Sequence, residues 1–207
     1  MFKKNVPIPA GVEVERYYDV QEIGNGQKTV SFFTANPNGV ETDNNYSKNP
    51  FADDVNHLIL GISLDPLVKL LRTGAGIDPA YVINNLSDGT LKLSTNNKRS
   101  TDILHPIKDY FNFTGMQISG QVDHGGASNI LTATLNSTGF RAPDNLFFLK
   151  RNENFGLEAE FNSGVWPTAQ NWTDLGVGRF GIKAELYVAK MTDQQLNDYQ
   201  KRYAATI

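Results

Sequence analysis

Cysteine is absent from the 207 residues. That excludes disulfides, thiolate metal sites and a thiol nucleophile, and leaves the redox compartment unread. No run approaches the ~20 apolar residues that a helical membrane span needs. The start, MFKKNVPIPAG, has two lysines but no apolar stretch of signal-peptide length behind them. Export by a signal peptide is not expected, and the chain reads as one that stays in the cytosol where it is made. An excess of positive charge is also missing: 19 Lys and Arg stand against 22 Asp and Glu, a net charge of -3. Direct nucleic-acid binding is not expected, because no basic field is available to neutralise phosphates. Histidine is limited to His57, His105 and His124, none of them in a metal-ligand motif.

What is abundant is turn chemistry. With 18 Gly, 9 Pro and many Asn, the chain suits short strands joined by loops. Hydrophobic residues at 40% and charged residues at 20% are ordinary for a folded protein. At ~150 residues per domain the length allows one domain or two small ones.

The clearest strands lie between Asn145 and Lys190. In FGLEAEF, Phe155, Leu157, Ala159 and Phe161 share a face, with Glu158 and Glu160 opposite. In RFGIKAELYVAK, Phe180, Ile182, Ala184, Leu186 and Val188 alternate with Gly181, Lys183, Glu185 and Tyr187. Side chains reverse face at each strand residue, so strict alternation predicts one buried and one solvated face. The run LFFLK, Leu146 to Lys150, predicts a more deeply buried strand. These patterns give an all-β sandwich core.

Residues 1–11 read as an extended arm held by Pro7 and Pro9, either a frayed terminus or a strap on a neighbouring subunit. Val12 to Ile23 predicts a strand with Val12, Val14, Tyr18 and Val20 on one face. Asn25-Gly26 is a hairpin turn signal, and Lys28 to Ala35 completes a predicted β-hairpin. Asn36 to Asn56 is a long polar loop, a contact loop between subunits or a solvated excursion. His57 to Leu64 is an apolar strand. Asp65-Pro66 predicts a helix running through LVKLL to Gly74, and Asp78-Pro79 a second short helix. Strands follow at Thr90 to Ser94, Met116 to Val122 and Ile130 to Leu135, with Pro106 marking an edge strand or a bend. At the end, Thr192 and Gln195 form a capping box, with Met191 and Leu196 as a hydrophobic staple. Leu196, Tyr199, Tyr203 and Ile207 then share a helix face that packs on its own sandwich, or else on a neighbour.

Reaction chemistry is scarce. Asp53, Asp54 and His57 are close in sequence but lack a third ligand or a presenting helix. Asp123-His124-Gly125-Gly126 has no nucleophile elbow beside it. Gly24 to Thr29 lacks phosphate-loop spacing and reads as a turn. Glu158 and Glu160 lie ~7 Å apart on one strand face, within the range of paired glycosidase carboxylates. Solvent-facing glutamates are the ordinary case, however. Asn112 and Asn136 sit in glycosylation-type triplets that mean little without export. Trp166 and Trp172 flank a loop and could stack on sugar or anchor that loop. No catalytic, cofactor-binding or metal residue is assigned, and no cofactor is expected.

The order of elements resembles the major capsid proteins of tailless, membrane-containing bacteriophages, the lineage built from upright jelly rolls. The residues that carry the likeness are Phe32-Phe33, the loop with DNNY and NPF (Asp43 to Phe51), and HLILGISL. GTLKLSTNNK, LFFLKRNENFGLEAEF and the last strand ending in ELYVAK complete it. Together they span most of residues 12–190. The resemblance implies two compact jelly rolls, 12–110 and 111–190, between the arm 1–11 and a C-terminal helix 191–207. The chain departs from the pattern in being short for the roughly sixteen strands that two rolls of eight need. A single roll over 12–190 is the alternative. By resemblance the function is structural and not enzymatic. Homotrimers would tile an icosahedral shell, touching neighbouring capsomers, other virion proteins and an underlying membrane. The chain would be made in the host cytoplasm and end in the virion. A carbohydrate-binding β-sandwich of a fibre or adhesin is the alternative function.

Overall fold

Alternation in the sequence becomes alternation in space along the eleven strands of the described residues. The computed structural model describes residues 7–24, 26–34, 44–46, 54–67, 70–72, 79–95, 98–111, 117–121, 130–134, 140–143, 147–164, 166 and 180–205. In chain order these hold β1 (Glu13–Glu22), β2 (Thr29–Phe32), β3 (Asn56–Pro66), β4 (Leu70–Arg72), α1 (Pro79–Ser87), β5 (Gly89–Thr95) and β6 (Lys98–Pro106). A 3-10 turn, Ile107–Asp109, leads to β7 (Gln117–Gln121), β8 (Ile130–Thr134), β9 (Phe147–Leu149), β10 (Phe155–Phe161), β11 (Gly181–Met191) and α2 (Asp193–Ala204). The strands form two four-stranded antiparallel sheets, β1-β11-β3-β9 and β2-β10-β5-β6, with a three-stranded sheet β4-β8-β7 beside them. This is an all-β sandwich.

The core lies between the two larger sheets. In one, the inward rungs are Phe32–Leu157–Leu93 and Val30–Ala159–Leu91. In the other, Tyr17–Leu186–Ile62 forms an inward rung, and Ala184 stands between Asp19 and Leu64. All of these but Asp19 belong to one buried apolar cluster. The predicted faces of β10 and β11 are therefore the observed ones, and Phe180 and Ile182 are buried.

Three expectations are corrected. The hairpin of residues 12–35 does not form. β1 pairs with β11 over ten rungs, from Glu13↔Lys190 to Glu22↔Gly181, while β2 pairs with β10 in the other sheet. The longer ladder to β11 outweighs local pairing. Ile23 N donates to Phe180 O at 3.0 Å and Gly26 N to Gly164 O at 2.7 Å, so the turn carries the chain between sheets.

The predicted helix from Asp65 to Gly74 is also absent. Asp65 and Pro66 finish β3 opposite Lys183 and Ile182, and Leu70–Arg72 pairs with β8. Leu64 N donates to Tyr110 O, away from β11. Pro66, two residues on, has the same orientation, so its missing N–H costs no rung with β11. The helix predicted after Asp78-Pro79 does form, as α1. Pro106 ends β6, an edge strand among the described residues, as expected.

Finally, β1 faces the core through Tyr17 and Asp19, not through the predicted face of Val12, Val14, Tyr18 and Val20; Val14 is 53% exposed, although Val20 is itself buried. A polar residue can hold an inward position when its hydrogen bonds are met, and those of Asp19 are.

β3 carries one extra residue, because Tyr187 pairs with Gly61 and Val188 with Ile59. Leu60 and Gly61 thus both face outward, a β-bulge. Beyond it, Leu58, Ala189 and Met191 form an apolar strip on the outer face, and Leu196 and Tyr199 of α2 cover it. The capping box is present: Thr192 N donates to Gln195 Oε1 at 2.9 Å and Gln195 N to Thr192 Oγ1 at 3.3 Å. α2 therefore docks on its own sandwich. Ile207 lies outside the described residues.

Candidate functional site

The residues weighed for chemistry are scattered. Asp54 is exposed and lies 3.8 Å from Arg151, whereas His57 is buried in β3 with its ring edge-on to Tyr17. They form no ligand set, and no group of three or more potential metal ligands occurs among the described residues. Trp166 is an anchor rather than a sugar platform. It is buried between Phe161 and Phe180, and its Nε1 donates to Gln27 O at 2.6 Å. Gly24 to Thr29 is a turn in which Gln27 N donates to Gly24 O and Gly24 N to Gln27 Oε1. Asp53, Asn112, Asp123, His124, Asn136 and Trp172 lie outside the described residues, as does the side chain of His105.

The most elaborate polar arrangement involves a residue that pattern reading passed over. Asp19, 1% exposed, accepts at Oδ2 from Phe33 N at 2.7 Å, Gln21 Nε2 at 3.0 Å and Tyr46 Oη at 3.3 Å. Phe33 follows β2 with φ of +56°, a left-handed turn that aims its N–H at the carboxylate. Burial pushes the Asp19 carboxyl above its ordinary value, and the three donors oppose that shift. Burial also pushes the Tyr46 hydroxyl up, and the neighbouring Asp19 charge adds to it. One carboxylate thus ties the exit of β2 to the return of the chain at Tyr46. Both ends of the polar segment 35–45 are held at one point.

Asn45 adds a second fastening, along the outer edge of β1. Tyr18 N donates to Asn45 Oδ1 at 2.7 Å, and Asn45 Nδ2 donates to Arg16 O at 2.7 Å. An amide side chain here occupies backbone groups that would otherwise offer a strand edge to another chain.

The outer face of the β1-β11-β3-β9 sheet bears an exposed aromatic. Phe140 is 49% exposed, stacked on Tyr187 at 4.5 Å, and seated over Gly61, where a Cβ would clash with its ring. It is fixed through Arg141, which exchanges two 2.9 Å backbone bonds with Ile62 and bridges to Asp109 at 2.5 Å.

The outer face of the other large sheet holds a recess of about 360 Å³. Glu158 stands there between Ser31 and Lys92 on the flanking strands, while Gly156 stands opposite Ser94. β2 stops at Phe32, opposite Leu157, so Gly156 has no strand partner on that side among the described residues. A glycine next to a strand end leaves the gap. Ser31 Oγ lies 3.5 Å from Glu158 Oε2. Glu160 faces the same way between Thr29 and Thr90 but is not part of the recess wall. The signal in the sequence was Gly156 itself, the one residue on the polar face of FGLEAEF with no side chain. No family model, curated protein or solved structure matches this chain.

Proposed function

We propose that the chain is a structural shell protein, the major capsid protein that its pattern of elements resembles. The observation that carries this is the winding of the sandwich. With β4, β7 and β8 set aside, the remaining strands run 1-8-3-6 in one sheet and 2-7-4-5 in the other. Every connection but β5 to β6 crosses between sheets. That order matches the one expected of a jelly roll of eight strands, an architecture used by viral capsid and lectin domains, and so supports the reading. Both sheets take strands from both sides of residue 110, which supports the single roll over 12–190 rather than a pair divided there.

In this reading the chain is not an enzyme. It self-associates as a homotrimer, meets neighbouring capsomers, other virion proteins and an underlying membrane, and resides in the virion. The exposed Phe140, seated over Gly61, is a feature suited to subunit contact. Size-exclusion chromatography with light scattering, followed by electron microscopy of the eluted species, tests it. Trimers or larger regular particles are expected. A protein that stays monomeric at every concentration overturns the assembly reading.

A further inference from the structure

The geometry points to a sugar-binding site in the recess over Gly156, independent of assembly. Its volume, about 360 Å³, falls at the lower end for small-molecule sites and suits one hexose ring. The polar groups of its wall come from Ser31, Thr34, Lys92, Ser94, Asn154 and Glu158. Hydroxyl groups and an amide both donate and accept, as the hydroxyls of a sugar do. Glu158 and Lys92 are direct cross-strand partners, so the site carries one charge of each sign and favours a neutral ligand over an ion. A carboxylate is acceptor-only and can take two neighbouring sugar hydroxyls at once. Glu158 is the recess's single carboxylate among the described residues, whereas glycoside cleavage uses a pair. The site is therefore one for binding. Because its wall stands largely on strands β2, β5 and β10, it is preformed and costs little ordering on binding.

The test is saturation-transfer NMR on the full chain with D-glucose, D-galactose, D-mannose and N-acetyl-D-glucosamine, each at about 10 mM, enough to fill a site of millimolar affinity. Transfer to the ring protons of at least one sugar is expected. Two variants place it. Gly156→Val puts a stiff side chain on the floor. The backbone there needs no left-handed conformation, and the nearest atom to the new Cβ is the Ser94 hydroxyl at 3.3 Å. The variant should keep its melting temperature and lose the signal. Glu158→Gln keeps the shape but removes the charged acceptor, and should weaken binding about tenfold. No transfer from the parent protein to any of the four sugars overturns the proposal. So does transfer that survives unchanged in Glu158→Gln, whether or not Gly156→Val folds.

Discussion

A single carboxylate, Asp19, fastens three parts of the sandwich, and its replacement should be felt in each. Asp19→Ala leaves the Phe33 N–H and the Tyr46 hydroxyl without that acceptor in a buried place. A cost of about 3 kcal/mol is expected in denaturant unfolding, at ~1–3 kcal/mol for each buried bond lost. Asp19→Asn retains an acceptor oxygen and should cost less. The two differ from the parent in pH dependence as well. Burial raises the folded carboxyl above its unfolded value, so the folded form binds the proton more tightly. The parent should therefore gain stability relative to Asp19→Asn as pH falls through the interval between the two values, and lose it again as pH rises. A constant difference between them across acid pH would show that Asp19 does not titrate there. None of this was legible in the sequence. An Asp inside a strand pattern reads as outward-facing, and two of the three groups that satisfy it lie 14 and 27 residues away.

Elements were legible where one face is apolar throughout. β10 and β11 follow their alternation residue by residue, because both span the middle of the core. The stretch after Asp65 departs from its helical pattern because Asp-Pro and LVKLL are compatible with either a helix start or a strand end. Which one forms depends on β11 and β8, far away in the chain. α2 was the opposite case: its caps are local, and its docking face follows from spacing. Deleting residues 192–207 uncovers Leu58, Ala189 and Met191. Leu196 and Tyr199 contribute ~1.5–3 kcal/mol each at full burial, so a loss of about 3 kcal/mol is expected, read as a lower melting temperature of the isolated chain. Unchanged melting would mean that the strip on the outer face is stable without its cover.

The winding of the whole molecule could not be read from the pattern, because it is set by pairings between distant strands. β1 meets β11 and β2 meets β10, although β1 and β2 are neighbours in the chain. Interleaving of this kind favours unfolding as one cooperative unit over unfolding as two. Fragments 12–110 and 111–190, expressed separately, should show no dispersed amide spectrum. Mixed, they have the means to complement each other across every shared ladder. Independent folding of either fragment would argue for two rolls after all.

The fastening at Asp19 has a consequence for how the chain tolerates change. A segment whose two ends are tied at one buried point is closed before its own residues are considered. Lengthening it adds a chain-closure entropy that grows with the logarithm of length. An insertion of about ten residues between positions 38 and 39 would roughly double the segment, at a cost of ~0.6 kcal/mol. A tag placed there should leave the melting temperature nearly unchanged, and the same tag should lower it sharply once Asp19 is Ala. The melting temperature of the tagged chain thus reads how firmly one buried carboxylate holds Phe33 and Tyr46 together against a longer connection.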